Sequence, residues 1–374
     1  MSGPNFGKSK AAVFYIAVLP AYRSSAFNQL SDYFKEELAV FASESSIDRK
    51  VKTDFSIPNV EEVQMFRLKK VFIQYLAWNY ALQAKTLVVD LNPRSISAWV
   101  FLLIRRLSGK RTLVWGHVSS RVSNPSSSSF MRRIMRKIAH ATIVYTYSDK
   151  AKASIEIPGS RVYVAPNSLY SRELLGRNSM TERKNIIHSG RLVHEKKIDL
   201  VIKAFRSSEL AAKNVKLIII GDGPEKLRLQ KLSSELGIAR SVEFLGEVFD
   251  AHRLRKEYEK SFVSVSSGYV GLSLTQSLGF GVPMIISQNE THSPEIELYR
   301  LQTEMYFTRD DHHSLADQLV KSYECKDSIL NQMNIAAEIV SKHYCAEQMF
   351  EGLKTAILSE PPLESLELSN YDKI

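Results

Sequence analysis

Residues 185–224 read NIIHSGRLVHEKKIDLVIKAFRSSELAAKNVKLIIIGDGP. An apolar run, Asn185–Ser189, passes into a loop that carries Gly190, Arg191 and Lys196. Residues 197–208 follow with a helical pattern. A second apolar run, Val215–Ile220, ends in Gly221-Asp222-Gly223-Pro224, where Gly in the turn and Pro at the first helical position make a tight strand-to-helix connection. Strand, helix and strand in that order predict a parallel βαβ unit.

The same alternation extends both ways. Toward the C-terminus, strands are expected at Val242–Leu245, Phe262–Ser266 and Pro283–Ser287, with helices near 224–236, 250–259, 272–280 and 313–323. Toward the N-terminus, strands are expected at Ala11–Val18, Thr86–Asp90, Arg111–Trp115, Ala141–Tyr147 and Arg161–Ala165. Helical stretches are expected between them near 26–41, 67–83, 95–107 and 127–139. The strands are continuous Val, Ile, Leu and Tyr runs, as in strands buried on both faces. The expected class is α/β: two Rossmann-like, doubly wound parallel-sheet domains facing across a cleft. A polar, aperiodic stretch, Asn167–Lys184, marks the junction, so the domains are read as 1–168 and 169–345. A last helical stretch, Ala346–Leu358, begins a segment, 346–374, expected to pack back on the first domain and to end in a polar tail.

The 374 residues are 44% hydrophobic, with 16 Gly and 12 Pro, which excludes a low-complexity chain. Two cysteines, Cys325 and Cys345, can make neither a disulfide framework nor a four-cysteine zinc site, and fit a reducing compartment. The opening MSGPNFGKSK has no apolar segment behind it, and no apolar run reaches the length of a membrane span. A cytoplasmic protein is expected. Charge is uneven. Residues 1–168 hold 24 Lys and Arg against 11 Asp and Glu, and the remainder 26 against 29. The basic half should meet something anionic: a membrane surface, a phosphorylated substrate or nucleic acid. No zinc finger, basic zipper or aromatic RNA-binding motif is present, so nucleic acid is not expected. No His and Asp spacing suits a metal, and Asp310-Asp311-His312-His313 reads as a solvated loop before a helix.

Ligands of doubly wound sheets bind beyond the carboxyl ends of the strands. Three loops there carry chemistry: Gly190–Lys196, Gly221–Pro224 and Ser266-Ser267-Gly268-Tyr269-Val270-Gly271-Leu272. Each alone reads as an ordinary turn. Together they supply glycines at helix N-termini, where backbone N–H groups can approach a phosphate, and cations for a diphosphate leaving group. No P-loop motif occurs.

These loops resemble the signatures of the family 4 retaining glycosyltransferases, which have the GT-B fold and include bacterial surface-polysaccharide enzymes. The likeness rests on Gly190-Arg191-Leu192 with Lys196, Gly221–Pro224, Gly268–Leu272 with Gln276, and Gly281-Val282-Pro283. It implies a hexosyltransferase that uses a nucleotide-diphosphate sugar as co-substrate, with neither cofactor nor metal. Arg191, Lys196 and the amides of Val270, Gly271 and Leu272 would hold the diphosphate. Gly190, Gly221, Gly223, Gly268 and Tyr269 would line the donor site, and Gln276 would bond the ribose. In the first half, Leu19-Pro20-Ala21-Tyr22-Arg23 is similar to some surface-polysaccharide members, with Tyr22 and Arg23 on the acceptor side. His117, in Trp115-Gly116-His117, resembles the family's histidine near the reacting sugar. The acceptor would be a glycan or a lipid-linked intermediate, with the protein peripheral on the inner face of the cytoplasmic membrane.

Both glutamates of the family's E-x7-E pair are absent, replaced by Gly268 and Gln276. Two further readings therefore stay open: a catalytically impaired nucleotide-sugar-binding protein and a GT-B nucleotide-sugar epimerase. Ser126–Ala139 also has two readings. Phe130, Ile134 and Ile138 share a helical face amid Arg132, Arg133, Arg136 and Lys137, which fits a helix on anionic lipid or a helix covering the sheet.

Overall fold

A computed structural model of the chain describes residues 10–47, 49, 51–118, 127–176, 182–363 and 366. The opening segment, Ser126, and parts of the junction and of the C-terminal tail read above lie outside these residues. The chain divides into two units. One runs to Leu169 and takes back Ala346–Leu366; the other spans Tyr170–Cys345.

In the first unit, seven parallel strands form a sheet. They are β1 (Ala12–Ile16), β2 (Leu38–Ala42), β3 (Val60–Glu62), β6 (Thr86–Asp90), β7 (Arg111–Trp115), β8 (Ala141–Val144) and β9 (Val162–Val164), in the order β3-β2-β1-β6-β7-β8-β9. Two further strands, β4 (Gln64–Leu68) and β5 (Val71–Tyr75), make a separate antiparallel hairpin. Side chains alternate across the main sheet. Phe14, Val40, Val88 and Leu113 pack on one face with helices α1 (Ser24–Phe34) and α12 (Ala346–Leu358). Val13, Phe41, Val89 and Val114 pack on the other, with α2 (Trp78–Gln83), α3 (Ile96–Leu107) and Met135 of α4 (Ser127–Ile138). One further helix, α5 (Tyr147–Glu156), lies between β8 and β9.

The second unit repeats the plan. Its strands are β10 (Asn185–Ser189), β11 (Leu217–Ile220), β12 (Val242–Gly246), β13 (Ser261–Ser266), β14 (Met284–Ser287) and β15 (Tyr306–Phe307), all parallel, in the order β12-β11-β10-β13-β14-β15. Its helices are α6 (Ile198–Ser207), α7 (Lys226–Glu235), α8 (Ala251–Glu259), α9 (Leu272–Gly279), α10 (His312–Glu324) and α11 (Lys326–His343). Chain order reverses between β1 and β6 in one unit and between β10 and β13 in the other, which is where doubly wound sheets open a crevice.

Two helical expectations are corrected. Residues 26–41 hold α1 and then strand β2, because Lys35 turns left-handed (φ 49°) and the apolar run Leu38–Ala42 enters the sheet beside β1. Residues 67–83 hold most of the hairpin before the short α2, because Val71–Tyr75 alternates faces against Gln64–Leu68. Residues 326–343, read as no element, form the longest helix among the described residues.

Candidate functional site

The loops after β10, β11 and β13 meet because those strands are neighbours. Their glycines let backbone lie on backbone. A Cβ at Gly221 would sit 1.9 Å from the Gly190 carbonyl oxygen, and one at Gly223 would sit 2.4 Å from that of Leu192. Both glycines also hold positive φ, 134° and 156°. A Cβ at Gly268 would lie 2.2 Å from the Glu195 carbonyl oxygen.

Side chains then fix the loops. Ser267 Oγ donates to the carbonyls of Lys196 and Lys197 at 2.8 and 2.7 Å. Lys196 Nζ donates to the Tyr269 carbonyl at 2.5 Å and lies 5.1 Å from the centre of its ring. Burial, and then the Arg191 charge, push the Lys196 amine down to about 8. Arg191 itself is exposed. Lys197, left-handed at φ 50°, is neutralised by Glu290 and Asp310. Positive charge is thus concentrated on Arg191 and Lys196 beside the start of α9. There Gly271 precedes the helix, and the first-turn amides carry the positive end of its dipole.

Of the three amides expected to face a diphosphate, that of Val270 donates to His292 Nδ1 at 3.2 Å. His292 Nε2 in turn lies 3.3 Å from the Ser287 carbonyl, so the ring is neutral with its proton on Nε2. Burial lowers its pKa. The Ser293 amide donates to the Val270 carbonyl at 2.9 Å, so the 287–293 segment holds the Tyr269–Gly271 loop at two points. Leu272 opens α9.

Gln276 lies in the interior, 7% exposed. Its carbonyl oxygen accepts from Tyr170 Oη at 2.8 Å, and its amide donates to Tyr258 Oη at 2.8 Å. Both tyrosine rings pack on Phe280. The carboxamide that the sequence assigned to a ribose therefore already braces α9 against α8 and the segment before β10. His188, buried in β10 with its pKa pushed down to about 4 by burial, lies 2.9 Å through Nδ1 from the Val265 carbonyl.

In the first unit the carboxyl edge gathers a second cluster. Asp90, ending β6, accepts the Ala17 amide at 2.5 Å across the point where strand order reverses. Burial raises its carboxyl to about 6 against the opposing pull of the Ala17 amide and Arg23. Arg23 is not offered to solvent. Its guanidinium is buried 4.4 Å from the Trp115 ring centre and 5.2 Å from that of Tyr145, and it donates to Asn167 Oδ1 at 2.9 Å. Tyr22 stays half-buried beside it. His117 follows β7, with its ring 4.7 Å from that of Tyr145 and Nδ1 4.0 Å from Asp149 Oδ2. Asp90, Tyr145, Asp149, Asn167, Tyr170, Tyr258 and His292 had no local sequence signal. They join these clusters through the sheets. Among the described residues no three His, Cys, Asp or Glu side chains gather as a metal-binding set.

Comparison with known proteins falls on the same loops. Residues 176–338 match the family described as glycosyl transferases group 1. The chain is 32% identical over 104 residues to the GtfA subunit of a UDP-N-acetylglucosamine–peptide N-acetylglucosaminyltransferase from Limosilactobacillus reuteri, which covers 28% of this chain and 20% of that protein. It is 30% identical over 105 residues to the lipopolysaccharide core biosynthesis glycosyltransferase LpsD of Rhizobium meliloti, covering 28% and 29%. The chain thus spans less than a third of the length of these relatives. The Anabaena HepE structure in complex with UDP superposes with a TM-score of 0.66 at 13% identity, over 93% of this chain and 99% of that one. That likeness shows the fold, two parallel-sheet domains of the GT-B class. The matched segment holds all three glycine loops described above.

Proposed function

We propose that this chain is a retaining glycosyltransferase that moves a hexose-type sugar from a nucleotide-diphosphate donor to a glycan or lipid-linked acceptor in surface-polysaccharide synthesis. One observation carries the reading. Three glycine loops converge on the carboxyl edge of the second sheet and bring Arg191 and Lys196 to the start of α9. That arrangement suits a diphosphate. Arg191, the Lys196 ammonium and the amides of Gly271 and Leu272 would stabilise the charge that grows as the sugar C1–oxygen bond breaks. The acceptor oxygen would bond C1 from the same face and pass its proton to the departing diphosphate oxygen. His117 and Tyr22, in the first unit, would orient the sugar or the acceptor. Arg23 would stiffen the loop that carries Tyr22. No step calls on a metal or a cofactor. The protein would work in the cytoplasm, in peripheral contact with an anionic membrane.

A second reading, a nucleotide-sugar binder without turnover, draws on Gly268, which offers a donor sugar only its backbone, and on Gln276, whose carboxamide is held by two tyrosines. Melting shifts with UDP and a panel of nucleotide hexoses identify the donor. A ligand at 100 times its dissociation constant stabilises by about 2.7 kcal/mol. The best donor is then incubated with a glycolipid extract. Release of nucleoside diphosphate with a glycosylated product supports the transferase. A melting shift without release supports the binder. No shift with any nucleotide refutes both.

A further inference from the structure

The β4–β5 hairpin is built with two unlike faces. Its inner face is tied to the first unit: Phe72 is buried, and Gln74 Nε2 donates to the Ile16 carbonyl and to Ser43 Oγ at 2.9 and 3.0 Å. Its outer face consists of the cross-strand pairs Gln64–Tyr75, Phe66–Ile73 and Leu68–Val71. Phe66 is 59% exposed, Leu68 56% and Tyr75 46%. The next residue, Leu76, is as exposed as Leu68, and it and Ala77 both hold left-handed backbone, with φ 80° and 55°. Bulky side chains rarely accept that conformation; here the Tyr15 hydroxyl, donating to the Leu76 carbonyl at 3.0 Å, holds the turn. An apolar side chain is thus held out at the end of an apolar face.

Charge is distributed along the same hairpin. Lys69 and Lys70 form its exposed tip, and exposed Arg94 reaches it, donating from Nε to the Lys70 carbonyl at 2.6 Å. Glu61 and Glu62 lie at the opposite end, before β4. Beside the hairpin, α3 starts where Ser97 Oγ bonds the Gln74 backbone, and its Ile96, Leu103 and Leu107 are exposed at helical spacing, with Leu107 at 89%. Contiguous exposed apolar surface rimmed by cations marks a docking surface.

We infer that the outer face of the β4–β5 hairpin, with the adjoining stripe of α3, is where the first unit enters an anionic lipid surface. A second copy of the chain fits worse, because residues 1–168 carry 24 Lys and Arg against 11 Asp and Glu and would repel their own kind. A bilayer accepts the apolar side chains and its headgroups meet the cations. This inference rests on the peripheral membrane contact proposed above and moves its place. On α4, Met135 is buried and Arg136 is buried in an ion pair with Glu156, so that helix covers the sheet. Of its cations, Arg133 and Lys137 are exposed.

The test is sedimentation of the full chain with vesicles of equal parts phosphatidylglycerol and phosphatidylcholine, against phosphatidylcholine alone, with the UDP melting shift measured in parallel. The full chain should sediment with the anionic vesicles only. Phe66→Ser with Leu68→Ser should weaken partitioning by more than about tenfold. Lys69→Gln with Lys70→Gln should weaken it about thirty-fold, and salt should abolish what remains. Arg133→Gln with Lys137→Gln on α4 should cost less than the hairpin lysines. All these side chains are exposed, so melting temperatures should hold; if the serine variant melts early, the lysine variant decides. Hairpin variants that sediment like the parent overturn the inference, as does a parent that does not sediment. So does a serine variant that changes oligomeric state while still binding vesicles. A normal UDP shift with lost vesicle binding leaves the glycosyltransferase reading standing; vesicle binding without a UDP shift does the reverse.

Discussion

Replacing Gly268 with alanine should damage the proposed donor site more than any loss of side-chain chemistry would. The added Cβ would lie 2.2 Å from the Glu195 carbonyl oxygen, 3.2 Å from its carbon and 3.1 Å from Lys196 Cα. The nearest contact is about 1 Å too short. All three atoms are backbone, so no rotamer change relieves it. Gly268 has no positive φ, so the penalty is steric alone. Overpacking of this kind costs about 2–3 kcal/mol, or about 4–12 °C in a domain of this size. Relief must come from separating the two loops that the Lys196–Tyr269 bond joins, which moves the ammonium away from the diphosphate position. UDP affinity should therefore fall by at least about tenfold at a temperature where the variant is folded. Gly237→Ala is the control: it has φ 71° and nothing within 4 Å, so it should cost only about 1 kcal/mol and leave UDP affinity alone. Calorimetric melting and isothermal titration with UDP measure both. If Gly268→Ala melts within a degree of the parent and binds UDP equally, the loops do not pack as described. The same contact means that Gly268→Glu should not restore the family's glutamate; it should disrupt the loop.

Arg191→Ala should lower transfer by roughly 10²–10³-fold with an unchanged melting temperature, because the side chain is exposed. Lys196→Ala should lower both, since its ammonium also holds the Tyr269 carbonyl; assays and melts of the two variants separate these effects. UDP affinity should be highest where Lys196 is protonated and should fall as pH rises through about 8, while Arg191→Ala should move that fall to higher pH by removing a like charge; titrations across this range would show it. Gln276→Ala should cost about 1–3 kcal/mol of stability by taking the acceptor from the Tyr170 hydroxyl and leaving that of Tyr258 with Ser189 alone. An unchanged melt with tenfold weaker UDP binding would instead make Gln276 a ribose ligand.

The continuous apolar strands and the helical periods between them were enough to define α/β units, because burial on both faces leaves no polar alternation to misread. The strand Asn185–Ser189 was legible to the residue, as were the Gly190, Gly221–Pro224 and Gly268–Leu272 loops. Their glycines are needed because neighbouring strands bring loop backbones together. Periodicity failed where apolar runs were short. Leu38–Ala42 and Val71–Tyr75 each carry five residues, too few to separate a strand from a helix, and their partners in the sheet or hairpin decided the matter. Residue chemistry named Arg191 and Lys196, but not that Lys196 would be drawn inward to a carbonyl. The family resemblance named Gln276, but not the two tyrosines that hold it, which lie 106 and 18 positions away in the chain. His292 reaches the Val270 amide from 22 residues away. Such pairings arise only when strand order places distant loops at one edge, and strand order is a property of the folded sheet.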